Sequence, residues 1–328
     1  MRAHGTQVGQ RMMEHRAASA ALLVVVLLVL ALGVSPAFAQ SSPSSTVPWS
    51  NYFGGNGGPT TFTPTMFGDL IGHRQFGGLA VFRGGFKIAE NESPRPLDRL
   101  YVNYNFYSNV SKVADVHRET LGFEKILFNG QASVGLRLPF FQVHGNRVVG
   151  DTNSVDDLTL VLKYAWLDDP VTALSTGLAV TMPSGSEPNR FIARNGTVKE
   201  LHPALFQPFV GYLWTHRDLY LHGFGSLMVP SDSSDVIVGF LDFGIGYWIF
   251  RGGGLLTGIV PTFEAHVNLP LNHRSDSDVP SFRRSVDLVG GVHFVLRDRV
   301  SIGLAVGAPV TSPKLFDVEA IANINFRF

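Results

Sequence analysis

The 328-residue chain contains no cysteine, which excludes a disulfide framework and a cysteine-linked lipid anchor. It carries no surplus of charge of either sign, with 26 basic and 26 acidic residues. A nucleic acid partner calls for a basic excess, so that class is excluded. Only 16% of the residues are charged, while 45% are hydrophobic. Even so, beyond the first forty residues no apolar run approaches the ~20 residues that a membrane-crossing helix needs. A chain this apolar without such helices is left with two homes for its greasy surface, a β-sandwich core or a membrane β-barrel.

The N-terminus bears on that choice. Residues 1–20 hold Arg2, Arg11 and Arg16 with one acid, Glu14, and an apolar run follows from Ala21 to Val34. Ala37-Phe38-Ala39 then completes the basic, apolar and small-residue order of a secretory signal peptide, with cleavage expected after Ala39. Removing 1–39 takes away three Arg and one Glu, leaving 23 basic and 25 acidic residues. Residues 40–97 begin with Ser, Pro, Thr and Gly, including the run 54–59, and read as a flexible arm or a plug.

From about residue 98 the pattern is alternation with a period of two. Leu158, Leu160, Leu162, Tyr164 and Trp166 share one face, as do Val300, Ile302, Leu304 and Val306. The opposite face is Gly, Ala, Ser, Asn or a charge, which suits a wet lumen better than a dry sandwich core. Link lengths alternate too. Short links at 129–130, 168–170, 216–218, 251–254 and 297–299 are separated by mostly longer polar ones at 143–154, 185–200, 230–235, 270–281 and 309–314. That is the periplasmic and extracellular asymmetry of an outer-membrane barrel. Asn129-Gly130 in particular suits a tight turn, because both residues tolerate positive φ.

Twelve strands are expected, at 98–110, 116–128, 131–142, 155–168, 172–183, 204–215, 219–229, 236–250, 255–268, 284–296, 300–308 and 315–328. The stretch 78–89 also has strand character. It is either a plug element or, paired with a further strand near 61–71, the route to fourteen. Aromatic residues near strand ends (Trp166, Tyr212, Trp214, Tyr247, Trp248, Phe326 and Phe328) read as an interfacial girdle.

The chain closes on Asn323-Ile324-Asn325-Phe326-Arg327-Phe328, which resembles the C-terminal assembly signal of outer-membrane proteins, with Phe326 and Phe328 carrying it. The segments FKIAENESPRPLDRLYVNYNFYSNV (86–110) and HRETLGFEKILFNGQASVGLRLPFF (117–141) resemble bacterial outer-membrane β-barrel proteins of the transporter type. Those proteins are related to the family named for the phenol-degradation meta-pathway. The resemblance implies a barrel in the cell outer membrane, with lipid and the assembly machinery as partners. It names no cargo.

No catalytic motif stands out, and no cofactor is implied. The run 54–59 lacks the Lys-Ser or Lys-Thr of a phosphate loop. Glu264-Ala265-His266 puts two potential metal ligands on one strand face, but a polar lumen wall accounts for them as well. A lipid-modifying barrel enzyme would need a serine–histidine pair, which no local signature links.

The inward face is the more informative site. Taking the apolar face of each strand as lipid-facing sends Asp242, Glu264, Asp287 and Glu319 into the lumen, with His266 beside them. Arg118, Arg137 and Lys163 point inward from the opposite wall, with Glu124 and Asp157 among them. Tyr101, Tyr107, Tyr220, Phe224 and Trp248 also point inward and offer a stacking surface to apolar or aromatic solutes. Two function classes follow. One is a non-enzymatic channel or transporter for small solutes, whose charged walls orient dipolar cargo. The other is a structural or surface-interaction barrel whose lumen is filled by ion pairs, with the loop 185–200 as its contact surface.

Overall fold

The computed structural model describes residues 62–69, 74–76, 79–81, 87–146, 150–185, 189–192, 198–233, 235–272, 284–312 and 314–328. The leader and the glycine-rich run 54–59 lie outside them. Twelve antiparallel strands form one closed sheet. They are β1 (Arg99–Val110), β2 (Ala114–Leu127), β3 (Ala132–Gly145), β4 (Thr159–Asp168), β5 (Thr172–Thr181) and β6 (Leu205–His216). Then come β7 (Leu219–Pro230), β8 (Val238–Tyr247), β9 (Leu256–Pro270), β10 (Ser285–Leu296), β11 (Val300–Pro309) and β12 (Glu319–Arg327). Each strand pairs with its sequence neighbour, and β12 returns to β1, with Glu319 opposite Tyr107 and Arg327 opposite Arg99. Closure removes the free edges that would otherwise template aggregation. Two short strands extend the sheet: Asp151–Val155 beside β3 and Phe250–Arg251 beside β9.

The twelve strands occupy the twelve expected stretches. The fourteen-strand alternative fails, because Arg74–Phe76 and Leu79–Val81 pair only with each other, outside the barrel sheet. A second small hairpin, Asn189–Ile192 with Val198–Leu201, lies within the long loop 185–200.

Local chemistry explains the turns. The β2–β3 link uses Phe128 (φ 50°), Asn129 (φ 55°) and Gly130 (φ 99°), so three successive residues adopt the left-handed region that lets strands reverse tightly. Arg217 at the β7 entry and Arg297 and Asp298 at the β11 entry do the same. Away from the turns, period two separates two surfaces. Leu100, Leu121, Leu136, Leu162, Phe243, Ile245, Phe263, Leu304 and Val306 are exposed on the outside. Left in water, such a band would cost about 25 cal/mol per Å² of apolar surface, so it matches hydrocarbon.

Four of the expected girdle residues, Trp166, Tyr212, Tyr247 and Phe328, are likewise exposed at the end that holds the short turns and the C-terminus. Trp214 and Phe326 are half-buried. Trp248 departs from the girdle. It packs edge-on against Phe62, its ring centroid 5.3 Å away, while Phe62 also meets His293 on the inner face of β10.

Candidate functional site: a charged lumen and the segments that cross it

An eight-stranded barrel is filled by its own side chains, and a sixteen-stranded one leaves an aqueous channel. Twelve strands leave room for extra chain, and two segments preceding β1 occupy it. Residues 62–69 and 87–97 lie against inward-facing side chains of the wall, and Met66, Phe67, Lys87, Ile88, Ala89 and Asn91 are wholly buried. Met66 and Ile88 pack with Val161, Phe209 and Phe224 of the wall, and Phe67 packs with Val289, Ala305 and Ile321. Phe67 also stacks on His293 with ring centroids 4.4 Å apart. The inner glycines of β10 and β11 make that seat: a Cβ on Gly291 or Gly303 would come within 2.6 Å or 2.7 Å of the Phe67 ring.

The eight polar residues singled out from the pattern are all buried in this region. Asp242, His266, Asp287 and Glu319 are 0% exposed, Glu264 1%, Arg137 2%, and Arg118 and Lys163 3%. They form two groups. On β1–β4 the side chains are cationic and hold carboxylates of the inserted segment. Glu92 is bound by Lys163 Nζ at 2.6 Å, by Arg99 Nη2 at 3.1 Å and by Arg137. Glu90 accepts from Arg118 Nη1 at 2.6 Å and from Asn103 at 2.9 Å. Glu124 on β2 braces the group, accepting from Arg99 Nε at 2.8 Å, Lys163 at 2.9 Å and Ser133 at 2.7 Å. The cations also grip backbone: Arg99 donates to the Asn91 carbonyl at 2.7 Å, Arg137 to that of Glu90 at 2.6 Å, and Lys163 to that of Ser93 at 2.8 Å. Burial pushes the Glu92 carboxyl up, but Lys163, Arg99 and Arg137 outweigh it and hold it at about 2.

On β8–β12 the wall is acidic. Lys87 of the inserted segment places its ammonium between Asp69, Asp242 (2.7 Å) and Asn268 (2.9 Å), with the Phe240 ring 5.3 Å away. Burial disfavours that charge, yet Asp242 and Asp69 raise the Lys87 pKa above the ordinary lysine range. Glu264 receives the backbone N–H groups of Phe67 (2.9 and 3.0 Å) and Gly68 (3.2 Å). His266 bridges Asp242 (Nδ1, 2.9 Å) and Glu264 (Nε2, 3.0 Å). Asp287 accepts from Asn268 and Ser285, each at 2.9 Å, and Glu319 from Asn105 at 2.7 Å. Asp69, Asp242 and His266 lie close enough together to share a metal ion, but the Lys87 ammonium already sits on both carboxylates. That internal cation accounts for the cluster, and Glu264 and His266 serve as lumen wall.

Three residues central to this arrangement, Lys87, Glu90 and Glu92, lie in the arm, where strand alternation gives no clue. Their signal is compositional: three charges within six residues of a charge-poor chain. Arg99 was missed because it sits at the very start of β1. The inward aromatics do not form an open stacking surface. Tyr101 lies against Arg99 and Arg137, at 4.5 and 5.6 Å, in space that Gly122 vacates. Tyr107 packs on Phe316, Tyr220 bonds Thr262 at 3.2 Å, and Phe224 packs on Phe209. A groove of about 540 Å³ lies elsewhere, over β6–β9, where the outward positions 223 and 225 are glycines between Tyr212 and Phe243.

A closed antiparallel barrel with an apolar outside and a polar inside is an outer-membrane β-barrel, and the chain has that fold and location. Among solved structures it is similar to an outer membrane channel from Pseudomonas putida F1. That match has 14% identity and a TM-score of 0.52, and it covers 71% of this chain and 96% of that one. Looser similarities reach the NanC porin (11%, TM-score 0.46, 70% and 98% covered) and the KdgM porin (12%, TM-score 0.43, 70% and 99% covered). No protein-family model and no curated protein sequence matches the chain.

Proposed function

We propose that the protein is a non-enzymatic outer-membrane channel for small polar solutes, closed by its own segments 62–69 and 87–97, which act as a plug. One observation carries this reading: beside the apolar packing of Met66, Phe67 and Ile88, the lumen is occupied through ion pairs and hydrogen bonds to charged walls. Exchanging buried ion pairs for well-packed apolar residues is often neutral or stabilising by about 1–4 kcal/mol. A barrel that only needed filling therefore gains nothing from eight or more buried charges, whereas a lumen that must admit water and solute needs them. The channel named for the Pseudomonas putida barrel agrees in kind, as does the transporter-type resemblance of residues 86–141.

Apolar or aromatic cargo finds less support, because the inward aromatic rings are engaged by arginines, by one another or by the plug. The filled lumen favours one second reading, a permanently closed structural barrel. Planar-bilayer recordings separate the two. The channel reading expects brief openings of the wild type and prolonged ones when the plug is weakened. Replacing Asp242, Glu264 and Asp287 together by their amides should then shift selectivity toward anions. A barrel that never conducts, with or without the plug contacts, would be structural.

A further inference from the structure

The plug is also a bound peptide, and its contacts describe what the lumen recognises. Its ammonium has a complete cage: Lys87 Nζ meets Asp242 at 2.7 Å, Asn268 at 2.9 Å and Asp69, over the face of Phe240. An ammonium offers three N–H donors, and three acceptors receive them. Its carboxylate has a cage as well, in which Glu92 meets Lys163, Arg99 and Arg137. Between these two positions the wall binds amide groups, with Arg99 and Arg137 on the carbonyls of Asn91 and Glu90. Further along, Glu264 takes the N–H groups of Phe67 and Gly68. Of the partners named, only Asp69 belongs to the plug, so when the plug leaves the carboxylate cage stays whole on the wall and the ammonium cage keeps Asp242, Asn268 and Phe240.

We infer that the lumen is a recognition site for amphoteric, peptide-like solutes, which carry a primary ammonium at one end, a carboxylate at the other and amides between. This rests on the channel reading and gives it a cargo class. Such a solute reproduces the contacts of residues 87–92 and competes with them, so the plug serves as both gate and internal mimic. Simple anions or cations satisfy one cage only and leave the other wall's charges without a partner.

The test uses the full chain, whose lack of cysteine allows single reporters. Ala89→Cys and, separately, Ser93→Cys place a thiol at positions that are 0% exposed in the plug, so reagent reaches them only on displacement. The probe is the acetylated, amidated hexapeptide Lys-Ile-Ala-Glu-Asn-Glu, and the control is its uncharged form Gln-Ile-Ala-Gln-Asn-Gln. The inference expects the first peptide to raise thiol reactivity at both positions about tenfold over the second, because the uncharged form satisfies neither cage. Added salt should shrink the difference as the charges are screened. Equal effects of the two peptides, or none from either, would overturn it. Bilayer current without peptide reads the channel proposal separately. Current with no peptide discrimination removes this inference and leaves the channel; peptide discrimination without current removes the channel and leaves a peptide-binding lumen.

Discussion

The two halves of the lumen hold the same short segment by different means. On β1–β4, Arg99, Arg118, Arg137 and Lys163 face Glu90, Glu92 and Glu124, so cations and carboxylates nearly balance. On β8–β12, Asp242, Glu264, Asp287 and Glu319, with Asp69 of the plug beside them, face one lysine, Lys87, and one histidine, His266. The acidic half therefore carries surplus carboxylates, and peptide N–H groups of the plug cover part of the difference at Glu264. A guanidinium cannot shed its charge, whereas a desolvated carboxylic acid can take up a proton. The basic half is thus the rigid clasp on the plug, and the acidic half is the adjustable one.

Breaking the clasp should have the largest effect. Glu92→Gln leaves Arg137 facing an amide and Arg99 and Lys163 sharing Glu124 alone, and breaking a buried pair costs about 3–5 kcal/mol. A prolonged open state in bilayer recordings, and faster proteolysis near residue 92, are the expected signs. Lys87→Met should act in the same direction but less, because burial favours protonation of Asp69 once the Lys87 charge that lowers its pKa is gone. Its open state should recede as the pH is lowered from neutral, which has no counterpart in Glu92→Gln. If both variants respond alike to pH, the contrast between the halves is wrong.

For the wild type the sign of the pH dependence follows from Glu92. Its carboxyl is held at about 2, below the ordinary 4.5. The stabilisation it gives the plug is complete above the ordinary value and is lost as pH falls from there through about 2. Lys87 is raised instead, so its share is full below the ordinary lysine range and is lost only in strong alkali. Plug protection, read by hydrogen exchange at residues 87–92, should therefore hold across neutral pH and fail at the acidic end. Failure at neutral pH would mean that these pairs do not hold the plug.

Smaller effects are expected away from the clasp. An added methyl in Gly122→Ala would lie 1.9 Å from Tyr101 Cζ, pushing that ring off Arg99 and Arg137. Overpacking of this kind costs about 1–3 kcal/mol and should appear as a lower unfolding temperature in detergent. The exposed pair Lys125–Asp98, 2.8 Å apart, should contribute least, so Lys125→Ala should change stability by about 1 kcal/mol or less.

The sequence showed the wall far better than its contents. Strand alternation is a local, repeated signal, so all twelve strands and the inward placement of residues such as Asp242 and Lys163 follow from counting in twos. The plug follows no such rule. Residues 62–69 have no period, and Lys87 and Glu92 are defined by partners up to 181 residues away in the chain, as with Lys87 and Asn268. The notion of opposed charged walls was accessible from the strands alone; that a short piece of chain carries the opposite charge to each wall needed the fold. Of the two placements read for Trp248, girdle and inward face, its contact with Phe62 in that unpatterned segment agrees with the inward one.

The central claim is that charge, held at one end by Glu92, closes an otherwise conducting lumen. Single-channel recording of the wild type beside Glu92→Gln, in planar bilayers at neutral pH, tests it most directly. The account predicts rare brief openings in the first and long openings in the second; a folded Glu92→Gln barrel that stays as silent as the wild type would contradict it.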